Sequence, residues 1–460
     1  MRSLLIAFLL TVPAFAAEPK KPNVLFIISD DLTCDLGCYG HKGLKSPNLD
    51  KLAAKGVRFD RAYVQYPVCN PSRTSFLTGL RPDTTKVLDN DVPFRKTLPD
   101  VVTLPQLFRA NGYHAASFGK VFHRGLSPDD VQAERDDTKS WDMQFYGKAT
   151  AAAAKGESRN MTGGTLKWCE WRAADCDDDD LPDGQIAAAA IKAMTQTTDK
   201  PWFLAVGFYR PHDPFVSPKK YFDLYPLDQM EIPKSPDGYK LPYPHTLPGG
   251  AFKTAFDQFT DTDKREFLRS YYAGVSYMDA QVGRLMAELD RLKLWDNTIV
   301  VFVGDHGYEL GVRNWWSKSN LFERTCRTPF IVFAPGAKGN GKATAGLTEF
   351  VDLYPTLAEL CSLKDPPKSL EGTSFAARLN DPTAVGKDAA FTIVKRGAMN
   401  LGRTVRTDHY RYTEWNDGKN GAELYDHTTD PGEWKNLASD PKLADVVATH
   451  KKLLADSVKK

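Results

Sequence analysis

Residues 23–29, NVLFIIS, form an unbroken apolar run rich in branched side chains, ending at Asp30 and Asp31. A strand covered on both faces of a parallel sheet reads this way, because neither face meets water. The next segment, SPNLDKLAAKG (46–56), opens with serine and proline. It carries Leu49, Leu52 and Ala53 at helical spacing and stops at Gly56, which predicts a helix. The alternation recurs, with a helix near Leu104 to Ala110, a strand near Tyr113 to Ser117, a helix near Gln185 to Met194 and the strand WFLAVGFY at 202–209.

Tyr271, Val275, Met278, Val282, Leu285, Leu289 and Leu292 recur at intervals of three and four, so about Asp263 to Lys293 reads as one long helix with a single apolar stripe. TIVVFVGD (298–305) and PFIVFAP (329–335) add strands, and VDLYPTLAELCSL (351–363) adds a helix. The pattern predicts an α/β fold, a mixed, mostly parallel central sheet sandwiched by helices. Beyond about Pro366 it changes to short strand-like pieces, FTIVKRG, RTVRT and YRYTEW, and a final helix from about Pro441. Residues 17–365 are therefore expected to form the main α/β unit, and 366–460 a C-terminal subdomain with a small antiparallel sheet.

With 460 residues, 42% hydrophobic and 26% charged, the chain has the composition of a globular protein rather than a disordered or fibrous one. Sixty basic against 58 acidic residues leave a formal net charge of +2, which argues against nucleic acid or anionic lipid as a partner. The first sixteen residues, MRSLLIAFLLTVPAFA, combine a basic start, an apolar run and a small-residue cleavage site. They read as an export signal, so the mature protein is expected in the periplasm or outside the cell. The run is shorter than the roughly 20 residues of a membrane span, and no later stretch is a candidate.

Export permits disulfides, but seven cysteines cannot all pair, and Cys69 is the candidate for the odd one. Cys169 and Cys176 flank a polar loop and are close enough in sequence to close a small ring, so a disulfide is expected there. Cys34 and Cys38 fit either pairing or packing as small apolar groups.

Ligands of open α/β sheets gather beyond the carboxyl ends of strands, where this chain places Asp30-Asp31 and Asp305-His306. Converging carboxylates suit a hard cation, while an imidazole leaves room for a transition metal. Turn capping by these acids is the equally weighted alternative.

The segment Cys69-Asn70-Pro71-Ser72-Arg73 followed by Leu77-Thr78-Gly79 resembles the signature of the sulfatases. Segments GKVFH (119–123), RPHDPF (210–215), DHGYELG (305–311), WSK (316–318) and ELYDHTTDPGEWKNL (423–437) also resemble sulfatase segments, in order along nearly the whole mature chain. SPNLDKLA, CNPSRTSFLTGLRPDTTK and FLAVGFYRPHDPF are similar to the iduronate-2-sulfatase branch. The resemblance implies an alkaline phosphatase-like fold. It also implies a formylglycine made by oxidation of Cys69, and hence a formylglycine-generating or anaerobic sulfatase-maturating enzyme as a partner in biogenesis. A sulfate ion at the start of the helix after Cys69 would meet unpaired N–H groups and the positive end of the dipole.

Carried over onto this chain, the resemblance implies one calcium held by Asp30, Asp31, Asp305, His306 and the modified Cys69. Arg73 and Lys120 would hold the aldehyde hydrate and His123 would hydrogen-bond to it. His212 and Lys318 would meet the sulfate and the leaving oxygen. The implied reaction is hydrolysis of a sulfated carbohydrate, an exo-acting 2-O-sulfatase on uronic acid-containing oligosaccharides. Alternatives are a sulfatase of algal polysaccharide fragments, a phosphodiesterase or phosphonate hydrolase of the same superfamily, and an inactive carbohydrate-binding relative. Arg81, Lys86 and Arg210 are candidate cations for a uronate carboxylate, equally explicable as surface residues, and Tyr308 stands where a tryptophan is expected.

Overall fold

The computed structural model describes residues 21–123, 136–196, 200–397 and 400–458, so the expected export signal lies outside the described residues. In chain order the strands begin with β1 (Asn23–Asp30), β2 (Val57–Phe59), β3 (His114–Gly119), β4 (Met143–Phe145), β5 (Gly156–Asn160), β6 (Glu170–Ala174), β7 (Trp202–Pro211) and β8 (Phe215–Pro218). They continue with β9 (Thr298–Gly304), β10 (Phe330–Phe333), β11 (Ala343–Thr344), β12 (Ala390–Arg396), β13 (Asn400–Arg406), β14 (Tyr410–Trp415) and β15 (Ala422–Asp426). The principal helices are α1 (Pro47–Lys55), α2 (Cys69–Thr78), α3 (Leu104–Ala110), α4 (Pro182–Thr195), α5 (Asp261–Arg291), α6 (Leu353–Leu360) and α7 (Ala444–Val458).

Among the described residues the central sheet has eight strands in the order β11-β2-β10-β9-β1-β7-β3-β4. β1 lies in the middle, parallel to both β9 and β7, and only β10 runs antiparallel to its neighbours. All eight β1 residues are buried, as its continuous apolar run predicts. Leu25 and Ile27 enter the core shared with α1, α4 and α5, whereas Val24, Phe26 and Ile28 face the core shared with α2, α3 and α6. This alternation is the twofold period of a strand between two helical layers. The long helix starts at Thr260, whose side chain accepts from Asp263 N in a capping box.

The C-terminal strands form an antiparallel sheet, β12-β13-β14-β15, with α7 packed on β13 and β14. A third sheet, β5-β6-β8, was not anticipated, because β5 is polar and largely exposed. It also corrects the expected Cys169 to Cys176 disulfide. Both cysteines are free, and they flank opposite ends of β6. At about 3.3 Å per residue the strand separates them far beyond the Cα spacing of about 4.4–6.8 Å that a disulfide requires. No helix of the described residues is long and apolar enough to cross a membrane.

Candidate active site

Three segment ends meet beyond the carboxyl edge of the central sheet. β1 delivers Asp30 and then Asp31, which turns sharply with φ 63°. β9 delivers Asp305, whose backbone N–H donates to Ser29 O at 2.9 Å and whose Oδ1 accepts from Asp31 N at 2.9 Å. Helix α2 delivers Cys69 as its first residue. All ten α2 residues are buried, and Gly79, at φ 70°, closes the helix by donating to Ser75 O.

The predicted side chains converge. The ligating atoms of Asp30, Cys69, Asp305 and His306 lie within 4.8 Å of one another, as do those of Asp30, Asp31, Cys69 and His212. Cys69 Sγ is 3.5 Å from His306 Nε2 and 3.1 Å from Lys318 Nζ. Lys120 pairs with Asp30, and Lys318 with Asp31. Lys120 comes this close because Gly207, opposite it on β7, has no side chain; a Cβ there would meet Lys120 O at 1.8 Å. Arg73 is fully buried, donating from Nε to Asp305 Oδ2 at 2.9 Å and from Nη1 to the carbonyls of Lys120 and Val121. It braces the acids from behind.

The donor set fits a divalent cation. Asp30 Oδ1 and Asp31 Oδ2 are buried with no hydrogen-bond partner, although buried acceptors are normally satisfied. His306 Nδ1 lies 2.9 Å from Gly307 O and must donate there, which leaves Nε2, 3.2 Å from Asp31 Oδ1, as the ring atom that faces the acids. Burial, followed by the charge of Asp30, pushes Asp305 up to about 7, a repulsion that a bound cation relieves.

The two other histidines differ in protonation. Burial lowers His123, and the nearby Lys120 adds to this. His212 also suffers burial, but Asp213 and Asp31 outweigh it and raise the imidazole to about 10. His212 lies in the cluster around the Cys69 sulfur, and both rings act on that thiol. Although burial opposes it, Lys120, Lys318 and these histidines hold the Cys69 thiol well below its ordinary value. At neutral pH one imidazole is therefore free to accept a proton and the other carries one.

Sequence reasoning missed Tyr271 on α5. Its hydroxyl donates to Asp31 O at 2.6 Å and accepts from Thr33 N at 3.0 Å, holding the turn that presents Asp31. It falls on the apolar stripe, where spacing marks it only as core. Asp213, beside His212, lay within a recognised motif but was given no role.

The structure places three further residues noted in the sequence. Arg81 is engaged by Glu349, at 2.7 Å from Nη1. Arg210 turns onto the carbonyls of His212 and Pro214. Tyr308 is buried, stacked on Tyr271 and bonded to Trp316 O, so it packs the core rather than facing substrate.

The chain matches the family model described as Sulfatase over residues 22–363, and that described as N-sulphoglucosamine sulphohydrolase, C-terminal, over residues 311–460. It belongs to the sulfatase family. This sulfatase is 36% identical to human iduronate 2-sulfatase over 75% of its own length and 70% of the relative's. It is 32% identical to a sulfatase of Formosa agariphila over 95% and 87%. Among solved structures, the phosphonate monoester hydrolase of Agrobacterium radiobacter superposes with a TM-score of 0.77 at 22% identity, covering 95% of each chain, a likeness of fold alone. The protein is thus a sulfuric ester hydrolase on the mostly parallel α/β scaffold of its relatives.

Proposed function

We propose that this sulfatase removes the 2-O-sulfate of a uronic acid in an acidic oligosaccharide, using a formylglycine made from Cys69 and one calcium. The observation that carries the chemistry is the ring of Asp30, Asp31, Asp305 and His306 around Cys69, with Lys318 on the same sulfur, His212 in the same cluster and Lys120 paired with Asp30. The substrate reading is supported by the likeness to iduronate 2-sulfatase over three quarters of the chain.

Asp30, Asp31, Asp305 and His306 would hold the calcium, which when bound withdraws charge from the sulfate and the nucleophile. The hydrate of formylglycine supplies two hydroxyls, one to attack sulfur and one to re-form the aldehyde and expel sulfate. Lys120 and Lys318, both charged, bring positive potential to the nucleophile and to the sulfate oxygens. His212 is protonated and donates to the departing sugar oxygen, while neutral His123 takes the proton of the remaining hydroxyl. Arg73 keeps Asp30 and Asp305 in place.

Among the described residues one cluster of cation ligands surrounds Cys69, and this favours a singly charged sulfate ester over a phosphate monoester, which calls for more metal charge. A second acidic cluster, Glu323, His427 and Glu433, is already neutralised by Arg411. We assign catalysis to residues 17–365, a substrate-facing subdomain to 366–460, and an exported location to the mature protein.

The test is sulfate release from defined saccharides, both 2-O-sulfated uronates and algal galactan or ulvan fragments, with Cys69→Ala as the blank. Release from the uronates, abolished in Cys69→Ala, is expected. Release confined to algal fragments would overturn the substrate, and full activity of Cys69→Ala would overturn the mechanism.

A further inference from the structure

The C-terminal sheet carries four arginines, and three of them have carboxylate partners. Arg403 pairs with Asp83 at 2.7 Å, Arg406 with Glu323 at 3.5 Å and Arg411 with Glu433 at 2.6 Å. Arg396, the last residue of β12, is the exception. Its Nε and Nη2 are buried without a hydrogen-bond partner, and among the described residues no carboxylate lies within ion-pair distance. Arg396 is half-buried rather than enclosed, and holding two of its nitrogens out of water without a counter-ion is unfavourable, a cost that an anion reaching the guanidinium would offset. Burial without a carboxylate in reach also lowers its pKa to about 10.

Arg396 sits beside the nucleophile's support. The neighbouring Lys395 N–H donates to Tyr66 Oη at 2.9 Å, and Tyr66 donates to Leu88 O at 2.7 Å. Tyr66 is three residues before Cys69. The segment that follows Leu88 holds the start of α2: Asn70 Nδ2 donates to Asp89 O at 3.0 Å and Val92 O at 2.8 Å, and Asn90 Oδ1 accepts from Asn70 N.

We propose that Arg396 forms a subsite for a second anionic group of the substrate, the carboxylate or a further sulfate on the sugars around the scissile ester. A guanidinium is permanently charged and presents a planar fork that matches either group. The proposal deepens the reading above and rests on its acidic saccharide substrate. The site places a substrate requirement on the C-terminal sheet, whereas the reacting groups come from the central one.

The test uses competition against turnover of 4-nitrophenyl sulfate, so that it does not depend on cleavage of the saccharide. The competitors are a 2-O-sulfated uronate disaccharide, its methyl ester, and the ester carrying a second sulfate on the neighbouring glucosamine. The unaltered protein is expected to bind one of the charged forms about 10–100-fold more tightly than the plain ester, the range of one charge-assisted contact. A preference for the free acid assigns the carboxylate; a preference for the disulfated ester assigns sulfate. Arg396→Gln is expected to narrow the ratio to within about twofold, and Arg396→Lys to keep part of it. An undiminished ratio in Arg396→Gln, or no preference in the unaltered protein, overturns the proposal. The second outcome is read without any variant, so it holds even if Arg396→Gln fails to fold. Discrimination in competition without cleavage of any saccharide would instead sink the uronate reading and leave the subsite standing.

Discussion

Replacing Tyr271 by phenylalanine tests whether the long helix positions the acids. The substitution keeps the ring, which stacks on Tyr308 at 5.5 Å, and so opens no cavity of consequence. It removes one oxygen that serves two backbone groups, Asp31 O and Thr33 N, both in buried surroundings. Each buried group left without a partner costs about 1–3 kcal/mol, so the loss of stability should be about 2–6 kcal/mol. Asp31 also occupies the left-handed region, which costs an L-residue roughly 1–2 kcal/mol and which these bonds offset. A released Asp31 should relax from it, so the calcium concentration needed for half-maximal turnover should rise about 10–100-fold, as for other outer-shell partners. Urea unfolding followed by circular dichroism gives the first quantity, and turnover of an aryl sulfate across a calcium titration gives the second. Tyr308→Phe is the control: it removes one bond to Trp316 O and should leave the calcium dependence unchanged. Stability within about 0.5 kcal/mol of the unaltered protein, together with an unshifted calcium titration, would refute the reasoning.

Arg411→Met should destabilise the fold by about 3–5 kcal/mol, because it takes the main partner from the carboxylates of Glu433 and Glu323, each 2.6 Å from the guanidinium; a urea measurement showing less than about 1 kcal/mol would count against this. Glu309 is pushed up to about 7 by burial, against the pull of Arg313 and Arg324. The folded protein therefore binds more protons than the unfolded chain between about pH 4.5 and 7, so this group's contribution falls by about 3 kcal/mol as pH rises through that window. In Glu309→Gln that slope should disappear from the pH profile of urea stability. Chelation should stop sulfate release and lower the melting temperature, with calcium restoring both; activity that survives exhaustive chelation would remove the metal from the mechanism.

The parts of the fold legible in the sequence are those where one force dominates. β1, β7 and β9 are buried on both faces, so hydrophobicity alone marks them, and α5 shows its stripe across more than eight turns. The strand ends that carry Asp30, Asp31 and Asp305 could be placed on the same grounds, and the Cys69 segment by its resemblance. What escaped depends on pairing rather than on pattern. β5, with the sequence GESRN, is held by its neighbour β6 and not by any apolar face, so nothing in its composition marks a strand. Missing β6 in turn made Cys169 and Cys176 look like partners. Arg81 looked free because its partner, Glu349, is 268 residues away. The Tyr271 hydroxyl was hidden for the converse reason, a polar atom on a position that periodicity correctly assigns to the core.

The enclosure of α2 sets a schedule for the protein's own synthesis. Every residue from Cys69 to Thr78 is buried, and an enzyme that oxidises a side chain must surround it. The finished domain offers such an enzyme nothing to grip. The enclosure requires β9, which pairs with β1 and enters the chain more than 200 residues after Cys69. At about 5–20 residues per second, translation leaves the cysteine within reach on the order of tens of seconds before the sheet can close over it. Oxidation of Cys69, on the function proposed above, would be a race against folding, and molecules that fold first would be well formed and inert.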